Sequence, residues 1–148
     1  MTKLSFVPMR LPDLGEVMAI EKKSYPIGWS KSVMRDCIKS DYHCIVLKKG
    51  KQVIGFGIVM TALDEAHLLN MCVDSTYQGK GYGSKLLKYL ENICIYNHAK
   101  VFLLEVRESS LVAQSLYRSF GFKQIGLRKN YYKKIKGREH AIVMNKIL

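Results

Sequence analysis

The chain has 148 residues, of which 48% are hydrophobic and 24% charged, a composition typical of one ordinary globular domain spanning residues 1–148. No stretch approaches the ~20 apolar residues that cross a bilayer, and residues 1–5 lack the regions of a signal peptide. We therefore expect a cytoplasmic protein without a membrane partner. The 24 Lys and Arg against 12 Asp and Glu give a net charge of +12, which favours phosphate-rich partners, although lysine-rich genome composition alone would also give this excess.

The first half of the chain predicts four strands and two helices. A weak alternation predicts a strand at 4–9, and Pro12 starts a helix that the segment 25–29 interrupts. Ser30 is suited to cap a second helix. Strands follow at 43–47, 52–62 and 66–73. Four cysteines sit among apolar neighbours without C-x-x-C spacing, so we expect buried free thiols at Cys37, Cys44, Cys72 and Cys94.

The second half alternates helices with strands. A helix is predicted at 83–97, a buried strand at 101–106, and a short helix at 111–120 that Gly121 ends. Two final strands, at 122–127 and 141–147, enclose a basic loop. The order β-α-α-β-β-β-α-β-α-β-β predicts an α/β protein with a mixed sheet and helices on its faces.

A loop with three glycines in five residues separates the strand at 66–73 from the next helix. It consists of Gln78, Gly79, Lys80, Gly81, Tyr82, Gly83 and Ser84. Backbone N–H groups at such a helix start form an anion site. The Walker pattern fails because its lysine position holds Ser84, and the dinucleotide fingerprint fails because it needs glycine at 84 or 86. The pattern Q-x-x-G-x-G fits in full.

This pattern, with its flanking elements, resembles the acyl-CoA loop of the GCN-five-related N-acetyltransferase (GNAT) superfamily. The resemblance implies a GNAT fold: a mixed, mostly antiparallel sheet of about seven strands, with about four helices on its two faces. It also implies acetyl-CoA as cosubstrate, with its pyrophosphate on the backbone N–H groups of the loop. The thioester oxygen would meet backbone N–H groups around Met71, Cys72 and Val73, where the family's strand separates from its neighbour.

Further segments resemble the branch of this superfamily that acetylates the N-terminal alanine of a small-subunit ribosomal protein. They are residues 64–66, 69–74, 77–78, 104–107, 116–117, 121–122, 128–132 and 137–141. The resemblance implies direct attack of that α-amine on the thioester, and the basic surface favours a contact with ribosomal RNA. Two alternatives stay open. The same fold could acetylate a lysine side chain or a small amine such as a polyamine or aminoglycoside, or the chain could be a ribosome- or RNA-binding module with a vestigial CoA site.

Glu105 follows four apolar residues and takes the position of the family's catalytic base. An ionised carboxylate there is paired, solvated in a cleft, or functional, and the non-functional alternative is an ion pair with Arg107. An α-ammonium has a pKa near 8 and a glutamic acid near 4.3, so direct deprotonation is uphill by about 5 kcal/mol. Glu105 is therefore expected to act through water, or with a pKa raised by burial.

Tyr117 takes the position of the family's general acid, and a phenol near pKa 10 can protonate a thiolate near 8.5. Packing of its ring in the core is the alternative. Ser110 stands where the resembled branch has an asparagine that contacts the cofactor, and it also offers a hydrogen bond.

The resemblance also implies which residues bind the acceptor protein: aromatic residues outside regular strands and the glutamate of the Gly-Arg-Glu segment. These are Trp29, Tyr131, Tyr132 and Glu139. Packing outside the main core is the alternative for the aromatics. His140 departs from the family, which has an acid there. The remaining histidines lack metal-ligand spacing, so we expect no metal at His43, His67 or His98.

Overall fold

The computed structural model describes residues 2–148. Met1, which belongs to the segment 1–5 considered above for a signal peptide, lies outside the described residues. In the described part the strands are β1 (Leu4–Pro8), β2 (His43–Lys49), β3 (Gln52–Ala62), β4 (Glu65–Val73), β5 (Val101–Arg107), β6 (Lys123–Lys133) and β7 (Arg138–Ile147). The helices are α1 (Leu14–Ser24), α2 (Lys31–Lys39), α3 (Tyr82–Tyr96) and α4 (Leu111–Ser119). No helix in residues 2–148 is long and apolar enough to cross a membrane.

The seven strands form one sheet in the order β1-β2-β3-β4-β5-β7-β6. Every neighbouring pair is antiparallel except β4 and β5, which are parallel. The predicted element order and the mixed, mostly antiparallel sheet are confirmed. The single parallel pair lies in the middle of the sheet and creates the site described below.

Two hydrophobic clusters lie on the two faces of the sheet. One includes Val17 of α1 and Met34 of α2, and the other includes Leu86 and Leu90 of α3. Because helices cover both faces, every residue of β3 from 53 to 59 is buried, as expected of a central strand.

Local sequence signals set several element boundaries. The Ser30 hydroxyl accepts a hydrogen bond from the Val33 N–H at 3.2 Å, which confirms the predicted cap of α2. Gly121 has a φ of 96° after α4, as its role as a helix stop predicts. A 3-10 turn at Leu11–Asp13 delays the start of α1 beyond Pro12. All four cysteines are buried and free, as predicted.

The prediction of a basic loop between the last two strands is wrong, because β6 and β7 pair through most of the residues assigned to it. Arg128 pairs with Ala141 and Tyr132 with Glu139, so three residues of β6 bulge opposite His140. The bulge is held by the Asn130 N–H, which donates to His140 Nδ1 at 2.9 Å. The edge strand β6 is exposed along nearly all its length, so it lacks the apolar alternation that reveals a strand.

Candidate active site

The glycine loop between β4 and α3 has an open backbone. Gly79 and Gly81 have φ angles of 75° and 84°, which glycine adopts without strain. A Cβ at either position would meet no atom within 4 Å. Within residues 2–148, no side chain caps α3, whose N-cap is Gly81. The first-turn N–H groups therefore suit an anion.

The surroundings of the loop also fit a pyrophosphate. Gln78 Nε2 donates to the backbone oxygen of Val73 at 2.9 Å, so this side chain holds the loop against the end of β4. The ammonium groups of Lys49 and Lys80 lie 5.6 and 5.7 Å from the centroid of the Tyr77 ring. These cations add positive charge beside the open N–H groups.

The strands β4 and β5 separate in the middle of the sheet. Their ladder ends at the pair Leu68–Leu104, although β4 continues to Val73 and β5 to Arg107. A cleft of about 270 Å³ opens there, and Met71 is part of its lining. The side chain of Cys72 is buried in the cluster on the α1 face, so only its backbone is available to a ligand in the cleft.

Glu105, near the end of β5, lines this cleft. Its Oε2 is 3.0 Å from His67 Nε2, and its Oε1 is 3.6 Å from Arg128 Nη2. The hydrogen bond from His67 holds the pKa of Glu105 below its ordinary value; burial opposes this, and the charge of Arg128 assists it. The expected pKa raised by burial is wrong, and so is the ion pair with Arg107, which contacts Glu139 instead.

His67 is a neighbour of the candidate base that the sequence did not reveal. In the parallel ladder it pairs with Leu103, and Glu105 follows two residues later on the same face of β5. This signal becomes visible only when the register between β4 and β5 is known.

Tyr117 on α4 lines the cleft and is only 7% exposed. Its ring packs against Phe122 with the centroids 5.8 Å apart. Burial raises the pKa of Tyr117, and the neighbouring Cys72 and Tyr132 raise it further. The hydroxyl therefore stays protonated and available as a donor at neutral pH. Ser110, just before α4, lines the same cleft.

Arg107 joins two distant segments around the cleft. Its guanidinium lies 4.4 Å from the centroid of the Tyr132 ring and 5.9 Å from that of Tyr25. It also donates to the backbone oxygens of Ile27 at 3.3 Å and Lys133 at 3.2 Å. One side chain thereby connects the segment between α1 and α2 to the β6–β7 hairpin.

The expected acceptor aromatics all line the cleft, but two of them lie in a strand. Tyr131 and Tyr132 belong to β6, which corrects their placement outside regular strands. Their rings make an edge contact with centroids 5.0 Å apart. Consecutive strand residues normally face opposite sides, and the bulge opposite His140 lets both of these line the cleft with Trp29.

Glu139 is buried beside the cleft and is absent from its lining residues. Its carboxylate accepts from the N–H and hydroxyl of Ser109, at 3.1 and 2.7 Å, and from Arg107 at 3.2 Å. Burial alone would raise the pKa of Glu139, but these hydrogen bonds outweigh it and hold the pKa below its ordinary value. Glu139 therefore fixes Arg107 rather than facing an acceptor.

The structure thus brings seven residues of the predicted site together in the cleft and adds others. From the prediction, Met71, Glu105, Ser110, Tyr117 and the three aromatics share the cleft, whereas the glycine loop lies beyond the end of β4. The added lining residues include Glu21, Tyr25, Asn70 and Arg107. Glu21 carried a usable signal, because it continues the apolar stripe of α1 four residues after Val17.

A separated parallel strand pair, an open glycine loop and an ionised carboxylate in the cleft suit acyl transfer from a CoA thioester. The family described as acetyltransferase (GNAT) domain matches residues 40–124. The chain belongs to the GNAT acetyltransferase family, which confirms the predicted fold, enzyme class and acyl donor, acetyl-CoA.

Similar proteins show which enzymes within the acetyltransferase class this chain resembles. The chain is 38% identical over 133 residues to the ribosomal protein bS18-alanine N-acetyltransferase of Haemophilus ducreyi, covering 89% of this chain and 92% of that protein. It is 35% identical over 132 residues to the enzyme of the same name from Escherichia coli K12, covering 89% of each. The crystal structure of the E. coli ribosomal-protein-S18-alanine N-acetyltransferase matches with a TM-score of 0.91 at 32% identity, covering 98% of this chain and 94% of that one. The resemblance to this branch is confirmed.

Proposed function

We propose that this chain, acting as one catalytic domain, transfers the acetyl group of acetyl-CoA to the α-amine of an N-terminal alanine on a small-subunit ribosomal protein. The observation that carries the proposal is the Glu105 carboxylate, which is hydrogen-bonded to His67 and lines the cleft, together with the three aromatic residues, where β4 and β5 separate. The similarity to enzymes named for this reaction, over 89% of the chain, supports the choice of acceptor.

The ionisation of the acceptor favours an α-amine over a lysine side chain. At pH 7, a neutral α-amine with a pKa near 8 costs about 1.4 kcal/mol. A neutral lysine with a pKa near 10.4 costs about 4.6 kcal/mol. Glu105 cannot offset this difference, since its own pKa is held low and it is a weak base toward an ammonium group.

The proton path in this proposal runs through Glu105. Bound acetyl-CoA supplies the acetyl thioester. As the neutral amine forms its bond to the acetyl carbon, the nitrogen becomes positively charged and its proton acidic. Glu105 accepts that proton directly or through a water molecule, and His67 stabilises the carboxylate that does so.

The leaving sulfur and the developing oxyanion need donors. Tyr117 is the proposed donor to the sulfur as its bond to carbon breaks, because its hydroxyl stays protonated. The other side of β4 pairs with β3, so the proposed donors to the oxyanion are those backbone N–H groups between Met71 and Val73 that face away from β3, beyond the last β4–β5 pair. Ser110 and the loop from Gln78 to Ser84 are the proposed contacts to the rest of the cosubstrate.

Mass spectrometry of an Ala-started peptide incubated with acetyl-CoA tests the proposal. We expect one acetyl group on the α-amine and none on an internal lysine or on spermidine. Glu105→Gln should lower kcat roughly 10²- to 10⁴-fold, whereas the matched control Glu108→Gln, an exposed carboxylate three residues on, should not. Unmodified peptide at every pH from 6 to 9 would refute the proposal.

The basic surface supports a second contact, with ribosomal RNA in the cytoplasm. Exposed cations concentrate on the β6–β7 hairpin: Lys123, Lys129, Lys133, Lys134, Lys136 and Arg138. Binding to small ribosomal subunits should weaken steeply with salt, because each neutralised phosphate releases a counterion. RNA binding without measurable affinity for CoA would instead favour the vestigial-site alternative.

A further inference from the structure

Glu21 is a buried carboxylate that links the two sides of the acceptor cleft. It lies on α1, is 1% exposed, and is a lining residue of the cleft. Its Oε2 accepts from the Trp29 N–H at 2.8 Å, and its Oε1 accepts from Asn70 Nδ2 at 3.1 Å. Trp29 belongs to the segment between α1 and α2, and Asn70 lies on β4 just beyond the last β4–β5 pair.

We infer that Glu21 is a positioning residue for the acceptor: its carboxylate fixes the α1–α2 segment against β4 and thereby sets the shape of the acceptor cleft. The inference rests on the proposed function. A buried carboxylate is costly unless donors surround it, so its two hydrogen bonds tie Trp29 and Asn70 to one place. Glu21 itself transfers no proton in this scheme.

Gly28 shows how closely the segment is fitted to this carboxylate. A Cβ at Gly28 would lie 2.5 Å from Glu21 Oε2 and 3.0 Å from its carboxyl carbon. Any side chain at position 28 would therefore displace the carboxylate from the Trp29 N–H. The bond between Glu21 and Trp29 thus depends on glycine at a position that is itself exposed.

Three variants separate positioning from a simple charge effect. Glu21→Met removes both acceptor oxygens, so the peptide KM should rise about tenfold or more, while the KM for acetyl-CoA stays within about twofold. Glu21→Gln removes the charge but keeps an oxygen for Trp29, and Asn70 can present its own oxygen to the new amide after a flip. Its peptide KM should stay within about threefold of wild type.

Gly28→Ala keeps the charge and disturbs the placement, so it should raise the peptide KM as Glu21→Met does. The matched control is Glu16→Met. Glu16 lies on the same helix, accepts from the Val53 N–H at 3.1 Å, and is not one of the residues that line the cleft. Glu16→Met should leave the peptide KM unchanged even if it lowers the melting temperature.

The outcomes are distinct. An equal rise of the peptide KM in Glu21→Gln and Glu21→Met would show that the charge of Glu21 itself matters, and it would overturn the inference. An unchanged peptide KM in Gly28→Ala, or a parallel rise in both KM values, would also overturn it. If Glu21→Met does not fold, the other two variants still decide. A wild-type protein that fails to acetylate the peptide would refute the proposed function instead.

Discussion

The pH dependence of acetylation should follow the acceptor amine and not Glu105. The hydrogen bond from His67, at 3.0 Å, holds the pKa of Glu105 below its ordinary value. The carboxylate is therefore ionised throughout the neutral range and contributes no inflection there. Burial raises the pKa of Tyr117, so its hydroxyl also contributes none.

The size of the effect follows from the amine alone. With a pKa near 8, an α-amine is about 1% neutral at pH 6, about 9% at pH 7 and about 90% at pH 9. Since only the neutral amine attacks, kcat/KM for the peptide should rise roughly 90-fold from pH 6 to pH 9. The rise should be close to tenfold per pH unit at first and should level off above pH 8.

The assay is a series of initial rates at low peptide concentration and saturating acetyl-CoA, with thiol release as the signal. His67→Leu supplies the perturbation. Without its hydrogen bond, burial of Glu105 is less opposed and its pKa rises, so a second inflection should appear on the acid side. A wild-type profile that is flat from pH 6 to 9, or a His67→Leu profile that keeps the wild-type shape down to pH 4, would refute this reasoning.

Three other predictions concern separate parts of the site. Tyr117→Phe should lower kcat roughly 10²-fold with little change in either KM; a normal kcat would leave the ring with a packing role only. Gly81→Ala places a side chain at a φ of 84°, which costs about 1–2 kcal/mol, so KM for acetyl-CoA should rise and the peptide KM should not. Arg107→Gln removes the ion pair of Glu139 but leaves its carboxylate with the two donors of Ser109, so the free energy of unfolding should fall by about 1.5–3 kcal/mol at pH 7. The pKa of Glu139 is lower in the folded protein than its value near 4.3 in the unfolded chain, so the loss of stability should shrink as the pH falls from the unfolded pKa through the folded pKa. Denaturant titrations at several pH values measure this loss, and a loss independent of pH would contradict the assignment.

The sequence predicts the parts of this protein that local chemistry determines. Ser30 caps a helix with its own hydroxyl, and Gly81 adopts a backbone angle that other residues avoid, so both are readable along the chain. The two strands of the β6–β7 hairpin are predicted at 122–127 and 141–147, but their extension through 128–133 and 138–140 is not, because an exposed edge strand buries too few side chains to show a period.

The missed site residues depend on contacts between distant segments. His67 and Glu105 meet because β4 and β5 are parallel with one particular register, and the sequence does not state a register. Glu21 and Asn70 are 49 residues apart and meet across α1 and β4. Glu105 itself was found, but the direction of its pKa shift depended on a partner that only the fold supplies.

The local charges of the cleft bear on how a basic protein accepts a basic substrate. The net charge of +12 repels a cationic acceptor at long range, but salt screens this repulsion beyond about 8–10 Å. Within the cleft, Glu21 and Glu105 present two carboxylates, while the charge of Arg107 is balanced by Glu139. Arg128 lies 3.6 Å from Glu105 and Lys133 also lines the cleft, so these cations offset the two carboxylates. The acceptor is therefore held by individual short-range contacts, which survive the salt that removes the long-range repulsion, and not by a net negative field of the cleft.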